Sequence, residues 1–318
     1  MKITILDDYQ NVIESLNCFQ LLDGNEIQIV DRSISNEDEL AREIKGTEIL
    51  VLNRTRTRVT RKLITQLPQL KLISQTGKLA GHVDLDACKE NNVLIAEGRG
   101  NPIATAELTW SLILNGLRLL PQAIDGMKQG EWQTNLGDRV HGKILGIWGY
   151  GKIGKRIGQY AKAFGAKVLV WGSESSRKNA QDDGFEAATS KKDFFTQVDV
   201  LSLHLRLHPA TTGIVKHSDL TQMKKTALFV NTARAALVEE GALEAALTSG
   251  RPGRAALDVY PKEPIYDKNY PLLTMPNVLC SPHLGYVERE SYELYYSIAF
   301  ENCINFIQGK PTGILALS

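Results

Sequence analysis

Apolar residues in this chain fall into two alternating kinds of segment. Short apolar runs at 3–6, 27–30, 49–52, 70–73 and 93–96 are separated by stretches in which apolar positions recur with helical spacing, such as 37–44 and 60–66. Runs this short, bounded by polar turns and alternating with helical periods, predict buried parallel strands with helices packed on both faces. Residues 103–128 then show one continuous helical pattern, with Asn101-Pro102 placed where a helix starts. A second series of runs follows at 144–149, 168–171, 198–205, 228–232, 255–259 and 278–281, and a closing helical pattern covers 288–307. The fold class expected is α/β, as two doubly wound parallel-sheet units.

Length and composition agree with that reading. The 318 residues are enough for about two domains at roughly 150 residues each. Hydrophobic residues at 43% and charged residues at 23% are those of a globular chain. The most apolar stretch, 108–120, is interrupted by Thr109, Ser111, Asn115, Gly116 and Arg118, so it cannot supply the ~20 apolar residues of a membrane span. Net charge is +1, from 37 Lys+Arg against 36 Asp+Glu, and so no global field favours nucleic acid or an anionic membrane. The four cysteines show no metal-ligand spacing and no metal site is expected; with a first segment that reads as a strand, a cytoplasmic setting with reduced thiols is expected.

The chemistry begins at 143–154, Lys-Ile-Leu-Gly-Ile-Trp-Gly-Tyr-Gly-Lys-Ile-Gly. Gly149, Gly151 and Gly154 have the G-x-G-x-x-G spacing between a strand-like run and a helical pattern, which is the context of a dinucleotide-binding turn. Tyr150, Lys152 and Ile153 lie within it, and the helix start would present its N–H groups to a pyrophosphate. About 20 residues on, where an acidic residue would take the ribose of NAD, the chain reads Trp171-Gly172-Ser173-Glu174-Ser175-Ser176-Arg177-Lys178. Ser173 and Arg177 could instead hold a 2′-phosphate. The cofactor expected is NADP(H) or NAD(H), with the balance toward NADP(H).

Three further segments end predicted strands: Asn231-Thr232-Ala233-Arg234, the stretch 258–264 with Asp258 and Glu263, and Ser281-Pro282-His283. In an open parallel sheet, residues just past strand ends face the ligand. Together with the glycine turn and His204 with Pro209, these motifs make the chain resemble the D-isomer-specific 2-hydroxyacid dehydrogenases, the family of phosphoglycerate dehydrogenase and hydroxypyruvate reductase, over nearly its whole length. The resemblance implies that Arg234, Glu263 and His283 are the catalytic residues, and that His204, Thr232, Ala233 and Asp258 lie at the cofactor. Asp258 is read as orienting backbone or tuning the dyad, without a proton-transfer role. The roles are chemically sensible. Imidazole exchanges protons near neutrality, a carboxylate fixes its tautomer, and a guanidinium forks onto a substrate carboxylate.

The resemblance also implies a Rossmann domain at 101–287, inserted in a flavodoxin-like substrate domain made of 1–100 and 288–318, and a homodimer formed through the cofactor domain. It implies a loop after the fourth strand whose amides bind the substrate carboxylate. The matching stretch has Gly77, but Lys78 and Leu79 stand where an apolar residue and a second glycine are usual. Arg54 matches an arginine that reaches the distal part of substrate. A small cationic pocket built from Arg54, Lys78 and Arg234 is therefore expected, suited to a polar or anionic substrate tail. The activity implied is hydride transfer between a nicotinamide dinucleotide and a D-2-hydroxy or 2-keto acid such as glyoxylate or hydroxypyruvate. The alternative from another class is a dinucleotide-sensing corepressor without turnover.

Overall fold

The computed structural model describes residues 1–315, and the chain divides into two compact units, Met1–Asn101 with Glu288–Ser318 and Pro102–Val287. The last three residues of the expected substrate domain, Ala316, Leu317 and Ser318, lie outside the described residues.

The first unit contains β1 (Lys2–Ile5), β2 (Glu26–Ile29), β3 (Ile49–Leu52), β4 (Leu72–Gln75) and β5 (Leu94–Glu97), all parallel in the order β2-β1-β3-β4-β5. This is the flavodoxin-like order. β3 and β4 are buried at every position because helices cover both faces of the sheet. Polar caps define the helix starts. Asn36 accepts from the amides of Asp38 and Glu39, Thr60 from Leu63 and Asp84 from Ala87. The closing helix Arg289–Ile307 belongs to this unit. It is capped by Glu288 and fastened by Ser74 Oγ, which donates to Ala299 O at 2.8 Å.

The second unit contains β6 (Ile144–Trp148), β7 (Lys167–Trp171), β8 (Glu186–Ala187), β9 (Val200–Leu203), β10 (Leu228–Asn231), β11 (Arg254–Leu257) and β12 (Val278–Cys280). All are parallel, in the order β12-β11-β10-β9-β6-β7-β8. Counting from β6 this is the Rossmann order, and the topology reverses between β6 and β9, where such sheets bind ligands. Side chains alternate between two cores. Leu201, Leu203, Phe229 and Leu257 join one, while Val200, Leu228, Val230 and Ala256 join the other.

Two features depart from the periodic reading. β8 was not signalled, since two residues paired to Leu169 and Val170 carry no period. The pattern over 103–128 forms two helices, Pro102–Arg118 and Leu120–Lys128, because Leu119 adopts a left-handed conformation with φ of 52°. Pro121 is the cause. It has no N–H, and its ring would strike the carbonyl one turn earlier if the first helix continued.

Candidate active site

The carboxyl ends of β10, β11 and β12 lie side by side, and each carries one of the expected catalytic residues. After β10, the buried Asn231 braces the turn with both ends of its amide. Its Oδ1 accepts from Ala233 N at 3.0 Å and its Nδ2 donates to Arg234 O at 3.0 Å. Arg234 leaves this turn in an extended conformation, with Nη1 donating to Ala233 O at 2.6 Å. The Thr232 hydroxyl is 2.7 Å from that of Thr109 on the helix Pro102–Arg118, which ties the turn to the scaffold.

Beyond β11 and β12 the structure brings Glu263 and His283 together. Glu263 Oε1 accepts from Tyr260 N at 2.9 Å, and Oε2 lies 2.5 Å from His283 Nδ1. The His283 backbone has φ of 54°, a left-handed conformation that costs a non-glycine residue energy. Asp258 compensates. Its Oδ1 accepts from Ser281 Oγ at 2.6 Å and Leu284 N at 2.7 Å, and its Oδ2 from Gly285 N at 2.9 Å. Burial pushes the Asp258 carboxyl above its usual range, against the opposing pull of the Ser281 and Leu284 hydrogen bonds. On the far side of the loop, Thr105 Oγ1 donates to Gly285 O at 2.7 Å. The Tyr286 ring meets the imidazole edge to face at 5.8 Å.

The glycine turn follows β6 and fits a dinucleotide. Gly149 has φ of 100°, and a side chain there would stand 2.8 Å from His204 O. A Cβ on Gly154 would fall 2.2 Å from Gly149 O, so only glycine lets the helix Lys152–Ala163 approach the strand this closely. A Cβ on Gly151 would meet nothing within 4 Å, so the turn leaves open space at the helix N-terminus. Lys152 and Ile153 open that helix, and their amides lack intrahelical acceptors. Tyr150 is a packing element: its N–H donates to Ser176 Oγ at 2.7 Å and its phenol to Asp183 at 2.9 Å. His204 Nε2 lies 2.9 Å from Ser202 Oγ, and burial pushes its imidazole down to about 3, leaving it neutral. Beyond β7, Ser173 caps the helix Glu174–Asp182, Arg177 lies over the Trp171 ring at 5.1 Å, and Glu174 is exposed.

In the first unit, the residues expected at substrate cluster at the ends of β3 and β4. Arg54 has φ of 57°. Its N–H donates to Thr76 Oγ1 at 2.9 Å, its carbonyl accepts from Gln75 Nε2 at 2.7 Å, and its guanidinium lies 5.3 Å from the Tyr295 ring centre. A Cβ on Gly77 would overlap Arg54 Nη1, so this glycine is what lets the arginine lie flat on the loop. Lys78 has an anionic neighbour that the sequence pattern does not signal. Its ammonium is 2.6 Å from Glu97 Oε2, and Leu79 N–H donates to Glu97 Oε1 at 2.8 Å. The added cation is thus offset by an anion at the end of β5.

The sequence pattern does not signal Glu97, which stands one residue past the strand-like run 93–96. Nor does it signal Thr105, Thr109 or the bond from Tyr150 N–H to Ser176 in the stretch after β7. Each acts by a hydrogen bond to a residue 18 or more positions away, and no local pattern reports that. Among the described residues no cluster of His, Cys, Asp and Glu side chains could hold a metal ion, and no helix is long and apolar enough to cross a membrane.

The Rossmann sheet with its glycine turn, and the arginine and carboxylate–imidazole pair at neighbouring strand ends, define a dinucleotide-binding α/β oxidoreductase class. Comparison with known proteins narrows it. Residues 110–285 match the family described as D-isomer specific 2-hydroxyacid dehydrogenase, NAD binding domain, and the chain belongs to that family. It is 34% identical to the D-3-phosphoglycerate dehydrogenase of Methanocaldococcus jannaschii over 86% of this chain and 52% of that one. It is 35% identical to the glyoxylate reductase of Aeropyrum pernix over 80% of this chain and 78% of that one. A crystal structure of phosphoglycerate oxidoreductase from Vibrio cholerae O395 superposes with a TM-score of 0.95 at 52% identity, covering 97% of this chain and 99% of the other. The chain spans about half the length of the curated phosphoglycerate dehydrogenases it matches. The family's NAD-binding domain implies a nicotinamide dinucleotide cofactor.

Proposed function

We propose that this protein is a D-2-hydroxyacid dehydrogenase, exchanging hydride between a nicotinamide dinucleotide and a 2-keto or 2-hydroxy acid. The observation that carries this reading is the Glu263–His283 pair at 2.5 Å, on a backbone that Asp258 fixes with three hydrogen bonds. With Nδ1 committed to Glu263, the imidazole exchanges the substrate proton at Nε2. It gives that proton to the keto oxygen in reduction and takes it from the hydroxyl in oxidation, while Glu263 stabilises the charge that develops. Arg234 binds the substrate carboxylate and polarises the carbonyl. The bound nicotinamide supplies or accepts the hydride. Gly151, Lys152 and Ile153 would hold its pyrophosphate. Gly77, Lys78 and Leu79 are read as donors to the substrate, and Arg54 as the group meeting its distal end.

Glyoxylate and hydroxypyruvate are the first substrates to test, and the named relatives add 3-phosphohydroxypyruvate. NADP(H) is favoured because no carboxylate ends β7 and Arg177 is already seated over Trp171 beside Ser173. A second copy of the chain is the partner proposed. Leu120, Ile124 and Met127 form one exposed face of the helix Leu120–Lys128, and Trp132 and Leu136 follow it at 74% and 94% exposure. Light scattering on a Met127→Glu, Trp132→Glu variant checks this, with a halved mass expected.

The deciding assay follows NAD(P)H absorbance at 340 nm over the keto acid panel. His283→Gln is expected to lower kcat by about 10²–10⁴-fold, the usual contribution of a general acid. Full activity in that variant, or no turnover of any 2-keto acid by the wild type, would defeat the proposal.

A further inference from the structure

We propose that Glu97 acts as an internal carboxylate ligand of the loop 77–79, competing with the substrate carboxylate for Lys78 and the Leu79 amide and so setting the affinity for 2-keto acids. The inference rests on the reading of Gly77, Lys78 and Leu79 as substrate donors. Its own support is that this loop already holds a carboxylate. Glu97 ends β5 beside β4, and its neighbour Gly98 donates its N–H to Gly77 O at 3.0 Å, which seats the two strand ends together. From there the two Glu97 oxygens are used separately, Oε1 by the Leu79 amide at 2.8 Å and Oε2 by the Lys78 ammonium at 2.6 Å. One backbone amide and one cation on a single carboxylate is the pairing expected of an anion receptor.

Two physical consequences follow. The first concerns charge. Burial works against ionisation of Glu97, but the hydrogen bonds from Lys78 and Leu79 outweigh it and hold the carboxyl below the usual range. The anion therefore persists at neutral pH, and the Lys78–Glu97 pair carries no net charge. The second concerns exchange. The Lys78 side chain is 71% exposed and that of Glu97 is 15% exposed, and an ion pair with so exposed a partner is weak. A substrate carboxylate offers Lys78 and the Leu79 amide the same acceptor atoms. Glu97 is thus a positioning residue that lowers the attraction of the loop for anions without touching the reacting carbon.

The test is steady-state kinetics with glyoxylate and NAD(P)H on the full chain. Glu97→Gln keeps an oxygen for Leu79 N–H and removes the negative charge that offsets Lys78. KM for glyoxylate should fall roughly fivefold, the size expected of one exposed ion pair, while kcat stays within about twofold. Lys78→Met in the wild type should raise KM roughly fivefold, because it removes a substrate donor and leaves the Glu97 anion unopposed. The same change should erase the gain in the Glu97→Gln background. An unchanged or raised KM in Glu97→Gln overturns the inference. If that variant does not fold, an unchanged or lowered KM for Lys78→Met alone overturns it equally. Wild-type protein that turns over no 2-keto acid would sink the parent reading and this one together. Wild-type turnover with no gain in Glu97→Gln sinks only this one.

Discussion

Replacing Asp258 by asparagine is the sharpest single perturbation, because it preserves shape while changing one atom's role. Asp258 is fully buried and accepts three hydrogen bonds, two on Oδ1 and one on Oδ2. Asparagine can keep Oδ1 toward Ser281 Oγ and Leu284 N, but its amide nitrogen then faces Gly285 N–H, donor against donor. One buried N–H is orphaned and a charge-assisted bond is lost, at about 1–3 kcal/mol. Relief of the buried charge, which has raised the Asp258 carboxyl, offsets part of that, so a net loss of about 1–2 kcal/mol is expected. Asp258→Ala removes all three acceptors and should cost about 3–5 kcal/mol, as other broken buried charge networks do. The damage should also reach catalysis. The left-handed His283 backbone costs about 1–3 kcal/mol to hold, and Asp258 holds it. Each 1.4 kcal/mol of lost positioning appears as about a tenfold fall in kcat. Urea unfolding at constant m, combined with single-turnover rates at 340 nm, measures both quantities. Asp258→Ala protein with wild-type stability and wild-type kcat would refute the claim that this carboxylate organises the loop.

Three other outcomes are expected. Gly154→Ala should destabilise the protein by at least about 1–3 kcal/mol and abolish dinucleotide binding, since its Cβ meets rigid backbone at 2.2 Å; Gly151→Ala, opening on empty space, should fold normally and lose only cofactor affinity, as fluorescence titration would show. His82 is held down to about 4, chiefly by burial and then by the nearby Arg54 charge. Between pH 4 and 6.5 the unfolded chain therefore binds the extra proton, stability rises with pH across that window, and His82→Gln should flatten that part of a urea-midpoint profile. Arg177→Ala should raise KM for NADPH roughly tenfold or more and leave KM for NADH within about twofold, since only a 2′-phosphate can use the guanidinium charge; equal effects on both would count against the NADP(H) assignment.

Much of this molecule was legible from local pattern. The βα alternation, the glycine turn at 149–154 and the strand-end positions of Arg234, Glu263 and His283 are all set by residues near one another in sequence, where period, turn chemistry and spacing act. The same local logic failed where a single residue overrode a period. Pro121 and the left-handed Leu119 split a helix that the apolar spacing alone would have continued, and the two-residue β8 exists only because β7 is there to pair with it.

The sequence by itself determined which chemical groups stand at the strand ends and which turn can approach a pyrophosphate. Only the tertiary structure decided their electrostatic and conformational state. Lys78 reads as an added cation until β5 brings Glu97 to 2.6 Å from it, and the orienting role read for Asp258 acquires its partners only when the loop after β12 folds back to place Ser281, Leu284 and Gly285 on its two oxygens. The reason is physical. Hydrogen bonds and charge pairs act over a few ångströms of space whatever the separation along the chain, and parallel strand pairing is what brings residues about 20 positions apart within that range.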